Sequence, residues 1–488
     1  MIPKSEILEI ATSNNLSAHV IEKDYVLGWI LSGINQHEIG KTWVFKGGTC
    51  LKKCYFETYR FSEDLDFTLS NSAHINANFL QAAFVDISEW IYEQTGIEIP
   101  TDRMDFDVYE NPRGVMSCQG KLFYRGPASP TSPKQMPRIK LDLSVDEVLV
   151  EPAVLNAVTH NYSDAPESGI HILCYNYAEV FAEKTRALAE RTRPRDLYDV
   201  INFYRRPESE SIASEVERIL QDKCAFKSIE MPTYDALVSH KEECAVGWKQ
   251  QLSHQLQALP PFDAFWDELP AFFDWLYNPA SENVVPFTNI PAQQGSIASS
   301  GPIDLRNYGE TSQQLGVLDK IRFAASNHLC VELQYRRKDG IEKSYIIEPY
   351  SLNETSAGNL LLHALKHGTR DIRAFRTDRI LSVQVTERTF TPSYRIDLIP
   401  RNVNTSSLTS LHLPERAKNT SFSIPRSIRK TRSTKSSWGN TGPKYVYQCS
   451  ICQKKFTRKK MDGRLNPHKS KDGWPCSGRT GIYVDTKY

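Results

Sequence analysis

The first part of the chain mixes apolar runs of helical period with shorter runs typical of β-strands. Helical periodicity extends over 5–36, 50–59 and 78–94, and it dominates from 171 to 275. Short apolar or alternating runs predict strands at 43–45, 64–69, 106–109, 120–124 and 138–144. This combination predicts an α+β domain over 1–280 whose carboxyl-terminal part is helical.

After this domain the pattern changes three times. Residues 279–302 are rich in Pro, Ser, Asn, Gln and Gly, which predicts a linker over 281–302. A helix at 315–325 and evenly spaced β-like runs predict a small β-barrel over 303–398, with strands at 331–335, 345–349, 359–366, 372–376 and 380–386. Residues 399–443 contain few large apolar residues, so we expect a disordered basic linker before a compact tail over 444–488.

Composition and charge narrow the class of protein. The chain has 488 residues, of which 24% are charged and 40% hydrophobic, as is typical of soluble proteins with two to four domains. Neither a membrane span nor a signal-peptide core is evident, so a cytoplasmic location without membrane contact is expected. Residues 416–488 hold 18 Lys and Arg against 3 Asp and Glu, whereas residues 1–415 hold 41 against 55. The basic tail is expected to contact nucleic acid, to dock on the acidic body, or to be a solvated linker.

The strongest chemical signal is a Gly-Gly-Thr turn followed by two carboxylates. Gly47, Gly48 and Thr49 stand between a strand and a helix, where glycine lets backbone amides approach phosphate oxygens. Asp64 and Asp66 alternate with a leucine and therefore share one face of the next strand. Such a pair can hold one or two Mg²⁺ ions, for which a nucleoside triphosphate is the natural substrate. The alternative is an ordinary turn followed by a surface strand.

A third carboxylate is expected from a neighbouring strand. Asp142 lies in the alternating run Ile-Lys-Leu-Asp-Leu-Ser. It is the candidate to complete the metal site or to act as general base on an attacking hydroxyl. The alternative is an exposed strand aspartate.

Two charged helices supply a fourth element. Lys184 and Arg191 lie two helical turns apart on one face, Pro194 interrupts the helix, and Asp196 and Asp199 share a face of the next one. A lysine that reaches a triphosphate, with an aspartate near it, fits a nucleotide site. Taken alone, a charged helix is usually only solvated.

Together these motifs resemble the AbiEii/AbiGii toxin family of nucleotidyltransferases. The resemblance rests on KGGT…RFSEDLDF, IKLDLS and EKTRALAERTRPRDLYDV, and on the opening helix IEKDYVLGWIL. It implies a nucleotidyltransferase fold of the polymerase-beta type and a nucleotidyl transfer reaction. It also implies a toxin of a bacterial toxin–antitoxin or phage-defence system that inhibits growth by modifying RNA or binding GTP. Whether a separate antitoxin protein is its partner stays open at the level of sequence.

The resemblance also carries family roles onto individual residues. Gly48-Thr49 match the family's Gly-Ser turn, Asp64 and Asp66 its metal carboxylates, Lys184 its lysine, and Asp196 and Asp199 its final acidic motif. We expect catalytic roles for Asp64, Asp66, Asp142, Lys184 and Asp196, and nucleotide contacts from Gly47, Gly48, Thr49, Lys184, Arg191 and Asp199. In the expected mechanism, Mg²⁺ clamps the triphosphate, and an acceptor hydroxyl, for example at an RNA 3′ end, attacks the α-phosphate. The acceptor RNA could be a tRNA.

Residues 315–392 resemble a WYL domain, an Sm/SH3-like barrel found in bacterial regulators and defence proteins. The shared features are the entry helix and the runs LQYR, EP, RAFRTDRI and FTP, whereas Leu-Leu-Leu stands near the place of the naming Trp-Tyr-Leu triplet. Arg373, Arg376 and Arg379 are expected either to meet a nucleotide or nucleic acid, or to be neutralised by Asp371 and Asp378.

The tail carries a cysteine and histidine pattern typical of zinc sites. Cys449, Cys452, His468 and Cys476 fit a tetrahedral Cys₃His site, which would stabilise a segment too short to build a core. Unpaired reduced cysteines are the alternative. Basic residues around Phe456 suit either nucleic-acid contact or solubility.

Two functions therefore remain open at the level of sequence. One is a nucleotidyltransferase toxin that uses Mg²⁺, a nucleoside triphosphate and an RNA acceptor. The other is a nucleotide-sensing, nucleic-acid-binding regulator that uses the barrel and the zinc tail. The intact acidic pair favours the enzyme, because a degenerate core would be expected to lose a carboxylate. The sequence does not indicate which nucleotide or acceptor is used, or the oligomeric state.

Overall fold

The computed structural model describes residues 1–56, 59–278, 290, 312–354 and 359–398, and in the tail residues 444–449, 451–452, 454–458, 464–466, 468–469, 475–476 and 480–487. The chain forms two compact units, 1–409 and 410–488. Apart from Ile290, the predicted linkers over 281–302 and 399–443 lie outside the described residues. None of the described helices is long and apolar enough to cross a membrane.

Residues 1–278 form one sheet and the helices that pack around it. The helices are α1 (Lys4–Ser13), α2 (Ala18–Gln36), α3 (Gly47–Cys50), α4 (Ala77–Thr95), α5 (Tyr177–Arg191), α6 (Pro194–Tyr204), α7 (Ala213–Lys227), α8 (Tyr234–Val238), α9 (Lys241–Leu252), α10 (Asp263–Trp266) and α11 (Leu269–Tyr277). The strands are β1 (Trp43–Lys46), β2 (Asp64–Leu69), β3 (Asp105–Glu110), β4 (Met116–Phe123), β5 (Arg138–Ser144), β6 (Val154–Val158) and β7 (Ile170–Cys174).

The strands form a mixed sheet in the order β3-β4-β5-β2-β1-β7-β6. β2 runs parallel to β5 and β1 runs parallel to β7, whereas the other neighbours are antiparallel. The order places β2, which carries Asp64 and Asp66, at the centre of the sheet beside β5, which carries Asp142.

The central strands are apolar on one face only. Leu65 and Phe67 on β2, and Leu141 and Leu143 on β5, are buried and alternate with polar residues. They belong to the core that also contains most of α2. Because burying such a side chain contributes roughly 1.5–3 kcal/mol, this face fixes the strand register and leaves the aspartates on the opposite face.

Local signals explain where α5 and α6 begin and end. The Asn176 side chain caps α5 by accepting a hydrogen bond from the Glu179 amide at 2.7 Å. Thr192 ends α5 in the left-handed conformation, with φ of 41°. Pro194 then stands in the first turn of α6, where its missing N–H is no loss. This short connection packs the helix of Lys184 against the helix of Asp196.

The second part of the larger unit is an antiparallel sheet with one helix. Its elements are α12 (Ser312–Ser326), β8 (Leu329–Arg336), β9 (Glu342–Glu354), β10 (Leu360–Lys366), β11 (Ile372–Arg376) and β12 (Ile380–Thr389), and the strand order is β11-β10-β9-β8-β12. It contacts the first part, since His328 Nδ1 lies 3.7 Å from Glu268 Oε1 and Arg395 lies 3.6 Å from Glu210.

The smaller unit contains short strands. They are β13 (Lys444–Cys449), β14 (Lys455–Arg458), β15 (His468–Lys469), β16 (Pro475–Cys476) and β17 (Gly481–Lys487), arranged as the sheets β14-β13-β17 and β15-β16. Cys449 and Cys476 are buried beside Tyr447 and Leu465.

Three secondary-structure predictions were wrong in detail. The sequence pattern missed β6 and placed helix where β7 lies, because a five-residue apolar run has no distinctive period. The helical region at 5–36 is two helices, interrupted where Asn15 has a φ of 54°. The helix predicted over 50–59 gives way to a π-helical turn that ends at Tyr55, and residues 57 and 58 lie outside the described residues.

Candidate active site

The Gly-Gly-Thr turn is built against the carboxylate of Asp66. Gly47 has a φ of 79°, and a Cβ added there would lie 2.0 Å from Asp66 Oδ2. Glycine is therefore required for both the conformation and the close approach. The buried Thr49 hydroxyl donates a hydrogen bond of 2.5 Å to the Asp64 carbonyl oxygen. Thr49 thus ties the turn to β2.

The three predicted carboxylates meet on the polar face of the sheet. In the parallel pairing of β2 with β5, Asp66 lies opposite Asp142 and Asp64 lies opposite Lys140. The antiparallel pairing of β1 with β2 places Lys46 opposite Asp66. Asp64, Asp66 and Asp142 therefore form one cluster, called here the strand carboxylates.

The strand carboxylates repel one another. Burial, and then the charge of Asp142, raise the pKa of Asp66 to about 6. Burial and the charge of Asp64 also raise the pKa of Asp142. A divalent cation would relieve this repulsion, and carboxylate oxygens are the ligands that Mg²⁺ prefers. The residues therefore fit a Mg²⁺ site, although in the described residues their oxygens are not all within 4.8 Å of one another.

An open cavity of about 240 Å³ adjoins the strand carboxylates. Its lining is mostly polar and comprises Lys46, Asp66, Tyr109, Asn111, Ser117, Cys118, Asp142, Leu143, Ser144, Asp146, Glu147 and Lys227. Two of its cations are ion-paired, since Lys46 Nζ lies 3.3 Å from Glu147 and Lys227 Nζ lies 3.2 Å from Asp146. The cavity is large enough for part of a nucleotide, and both Asp66 and Asp142 line it.

The predicted residues of α5 and α6 form a second cluster. Lys184 Nζ lies 2.8 Å from Asp199 Oδ2 and 3.6 Å from Asp196 Oδ1. Arg191 donates a bidentate pair of hydrogen bonds to the Asp196 carboxylate, at 2.7 and 3.0 Å. Burial and Asp142 raise the pKa of Asp66, and Lys184 is close enough for its charge to offset part of that rise, so this cluster borders the strand carboxylates.

Asp199 is the anchor of the second cluster. It is fully buried, and Arg60 donates to both of its carboxylate oxygens, at 2.7 and 2.8 Å. Tyr59 donates a further hydrogen bond to it. Burial alone would raise the pKa of Asp199, but Arg60 and Lys184 hold it below its usual range. Both oxygens of Asp199 are thus already engaged.

Sequence reasoning missed three basic residues of the site. Lys46 pairs with β2 and lines the cavity, and Arg60 binds Asp199. Burial and the charge of Arg60 lower the pKa of Arg195, and the nearby carboxylates of Asp64 and Glu63 offset part of that change. The signal was present, because Lys46 and Arg60 begin the motifs KGGT and RFSEDLDF, and Arg195 directly precedes Asp196.

One of the arginines predicted on the second sheet is neutralised by an aspartate. Arg376 donates to Asp378 at 2.7 and 3.0 Å, so it is neutralised as one alternative expects. Arg373 is exposed and, within the described residues, makes no ion pair.

The tail brings its four predicted ligands together. Ligand atoms of Cys449, Cys452, His468 and Cys476 all lie within 4.8 Å of one another. His468 Nδ1 donates to the Asn466 carbonyl at 2.9 Å, which leaves Nε2 3.3 Å from Cys452 Sγ. Backbone hydrogen bonds, chiefly from Cys452, lower the pKa of Cys449 to about 6. The cluster can bind a metal ion, and its donor set fits zinc.

Two family models match the two parts of the larger unit separately. The sequence model of the family described as "Nucleotidyl transferase AbiEii toxin, Type IV TA system" matches residues 29–275, and that of the WYL domain matches residues 316–385. The solved structure of the nucleotidyltransferase toxin MenT4 from Mycobacterium tuberculosis is similar at 17% identity over 57% of this chain and 90% of its own, with a TM-score of 0.36. Proteasome accessory factor B/C of Arthrobacter aurescens is similar at 17% identity over 63% of this chain and 41% of its own, with a TM-score of 0.15. No curated protein matches the chain.

Proposed function

The chain belongs to the AbiEii family of nucleotidyltransferase toxins, whose model spans half of it, and we propose on that premise that it transfers a nucleotide from a nucleoside triphosphate to RNA. We propose that the reaction depends on Mg²⁺ and that the protein acts as a toxin in a cytoplasmic toxin–antitoxin or phage-defence system. The observation that carries the proposal is the cluster of Asp64, Asp66 and Asp142 beside the Gly47 turn and an open cavity.

Each part of the site has a role in this reaction. Mg²⁺ held by Asp64 and Asp66 would polarise the α-phosphate and offset the charge of the leaving pyrophosphate. The acceptor hydroxyl oxygen forms a bond to the α-phosphorus, and the bond from that phosphorus to the bridging oxygen of pyrophosphate breaks. Asp142 takes the hydroxyl proton, a role supported by its raised pKa and by its place opposite Asp66. Lys184 offsets charge on the triphosphate from a position fixed by Asp199.

Label transfer tests the reaction directly. The purified full chain is incubated with Mg²⁺, total bacterial RNA and each of the four α-labelled ribonucleoside triphosphates in turn. We expect label to appear in RNA with at least one nucleotide, and transfer to stop when EDTA is added. Absence of transfer with all four would contradict the proposal, and retention of DNA without transfer would support the regulator instead.

The toxin role has a separate test in living cells. Induced expression of the wild-type chain in a bacterium is expected to arrest growth, whereas the Asp66→Asn variant at equal abundance should permit it. Asp102→Asn provides the matched control, because Asp102 is an exposed aspartate outside the cluster. Growth arrest by the Asp66→Asn variant would show that toxicity does not need the transfer reaction.

We also propose that the tail binds one structural Zn²⁺ through Cys449, Cys452, His468 and Cys476. Elemental analysis of the full chain should find about one zinc per chain. The Cys452→Ser variant should lose that zinc, whereas Cys118→Ser, at a buried lone cysteine, should retain it. Equal zinc in both variants would contradict the site.

A further inference from the structure

The polar face of the central strands continues beyond the strand carboxylates as a row of cations. On β5, Arg138 and Lys140 alternate with buried Ile139 and Leu141, so they share the face of Asp142. Both cations are exposed. This face of β5 therefore changes from two positive charges to a carboxylate within five residues.

Pairing across the sheet extends the cation row to β4. Lys121 on β4 lies opposite Lys140, which lies opposite Asp64 on β2. The next row consists of Gln119, Asp142 and Asp66 in the same strand order. Neighbouring strands are about 4.8 Å apart, and residues two apart on one strand are separated by about 6.6 Å. Lys140 is thus an immediate neighbour of two strand carboxylates.

These cations lack strong internal partners. Within the described residues, Arg138 and Lys140 make no side-chain hydrogen bond and no ion pair within 4.0 Å. Lys121 lies 2.7 Å from Asp105, but both side chains are more than a third exposed, so the pair contributes little. Lys140 acts on Asp142 by charge alone, and it offsets only part of the rise in the pKa of that carboxyl that burial and Asp64 cause.

The two sides of the strand carboxylates differ in how their cations are used. On the cavity side, Lys46 and Lys227 are neutralised by Glu147 and Asp146. On the other side, Arg138 and Lys140 face solvent. Asp64, which lies opposite Lys140 in the strand register, would be engaged by the metal ion and so would not neutralise Lys140. Arg138 and Lys140 then present uncompensated positive charge on the same strand and face as Asp142, the proposed general base.

We propose that Arg138, Lys140 and Lys121 bind the phosphodiester backbone of the acceptor RNA next to its attacking hydroxyl. The inference rests on the proposed function, since it assumes that an acceptor strand reaches Asp142. The nucleoside triphosphate occupies the cavity side, and the acceptor crosses the open face of β5 and β4. A phosphodiester chain is the complementary partner for a solvent-facing row of cations, and it would be read without regard to sequence.

The test separates binding of the acceptor from binding of the nucleotide. KM is measured for total tRNA and for the nucleoside triphosphate with the wild-type chain and the Arg138→Gln/Lys140→Gln double variant. We expect KM for tRNA to rise about tenfold, at about 0.7 kcal/mol per lost contact, while KM for the nucleotide changes less than about twofold. The salt dependence of log KM for tRNA should lose about 0.7 from its slope for each lost phosphate contact.

Two controls guard the interpretation. Lys4→Gln removes an exposed lysine on α1 and should leave both KM values unchanged. Lys140→Arg keeps the charge and should retain tight tRNA binding. Thermal melting of every variant checks that the exposed substitutions leave the fold intact.

The outcomes that overturn the proposal are distinct from failure of the proposed function. A raised KM for the nucleotide with an unchanged KM for tRNA would place the triphosphate on the cation row. Unchanged values for both would make the row a solvated surface. If the wild-type chain transfers no label, the proposed function fails, and the row is tested by binding alone. Equal affinity of wild type and double variant for fluorescent tRNA would then overturn the proposal.

Discussion

Two groups of aspartates in this domain differ in whether nearby cations compensate their negative charge. The strand carboxylates Asp64, Asp66 and Asp142 have one another as close neighbours, and burial and mutual charge raise the pKa of Asp66 to about 6. The helix aspartates Asp196 and Asp199 are buried in ion pairs instead, and the pKa of Asp199 lies below its usual range because Arg60 and Lys184 outweigh its burial.

The difference is the basis on which we propose which aspartates act on substrate. A buried carboxylate whose charge is compensated stabilises the fold, and removing its partner is strongly destabilising. A cluster of carboxylates without enough cations destabilises the fold until a metal ion binds, which is a common feature of catalytic sites. We infer that the strand carboxylates perform the chemistry and that Asp199 positions Lys184 and Arg60. The nucleotide contact predicted for Asp199 and the catalytic role predicted for Asp196 stay predictions.

The sharpest test of this comparison is Asp66→Asn. Loss of a metal-binding carboxylate should reduce label transfer about a thousandfold or more. The same variant should be more stable than wild type at pH 8 in EDTA, by about 3 kcal/mol, because a repelled charge is removed. Rates of transfer and urea denaturation measure the two effects. A variant that is both inactive and markedly less stable would contradict the view that Asp66 is uncompensated.

Asp199→Asn should have the opposite effect on stability. Removing its charge leaves Arg60 buried without a full partner, so the free energy of unfolding should fall by about 3–5 kcal/mol. Urea denaturation measures the loss, and Asp102→Asn should change it by less than about 0.5 kcal/mol. A stable but inactive Asp199→Asn protein would instead support direct contact of Asp199 with the nucleotide.

Sequence was sufficient for the motifs because strand alternation is a strong constraint. A leucine between Asp64 and Asp66 fixed their common face, and the run around Asp142 has the same alternation, as the register of β2 with β5 bears out. The domain family and the WYL domain were also evident from short motifs, and family matching confirmed both.

Sequence was insufficient where a role depends on distant partners. Arg60 and Asp199 are 139 residues apart in the chain, and no local pattern shows that they meet. The strands β6 and β7 were missed for a related reason, since β7 is defined by its pairing with β1 and β6 rather than by its own short sequence. The neighbourhood of Asp64 and Lys140 likewise appears only once two strands are placed in register.

Gly47→Ala tests whether the Gly-Gly-Thr turn is needed to keep the Asp66 carboxylate in place. A Cβ at Gly47 would meet Asp66 Oδ2 at 2.0 Å, so the carboxylate must move and transfer should fall about ten- to a hundredfold. Gly340→Ala is the matched control, because Gly340 has a similar φ of 82° and an added Cβ there meets no atom within 4 Å. Both variants should lose about 1 kcal/mol of stability through backbone strain, and only Gly47→Ala should lose activity. Equal activities would show that Asp66 tolerates displacement.

The finest test of the comparison is the sign with which pH changes the stability of wild type relative to each variant. The pKa of Asp66 is raised to about 6 from its ordinary value of 3.8, so its stabilising contribution is present below pH 3.8 and is lost as pH rises through 6. In EDTA, the stability of wild type should therefore come close to that of Asp66→Asn near pH 4 and fall below it above pH 7. The pKa of Asp199 is lowered, so its contribution is present above pH 3.8 and is lost as pH falls further. Wild type should exceed Asp199→Asn most at neutral pH. Urea denaturation across pH 4–8 measures the stability difference between wild type and each variant. If wild type were the more stable protein, or the less stable one, in both comparisons at neutral pH, the charges of Asp66 and Asp199 would be compensated to the same degree.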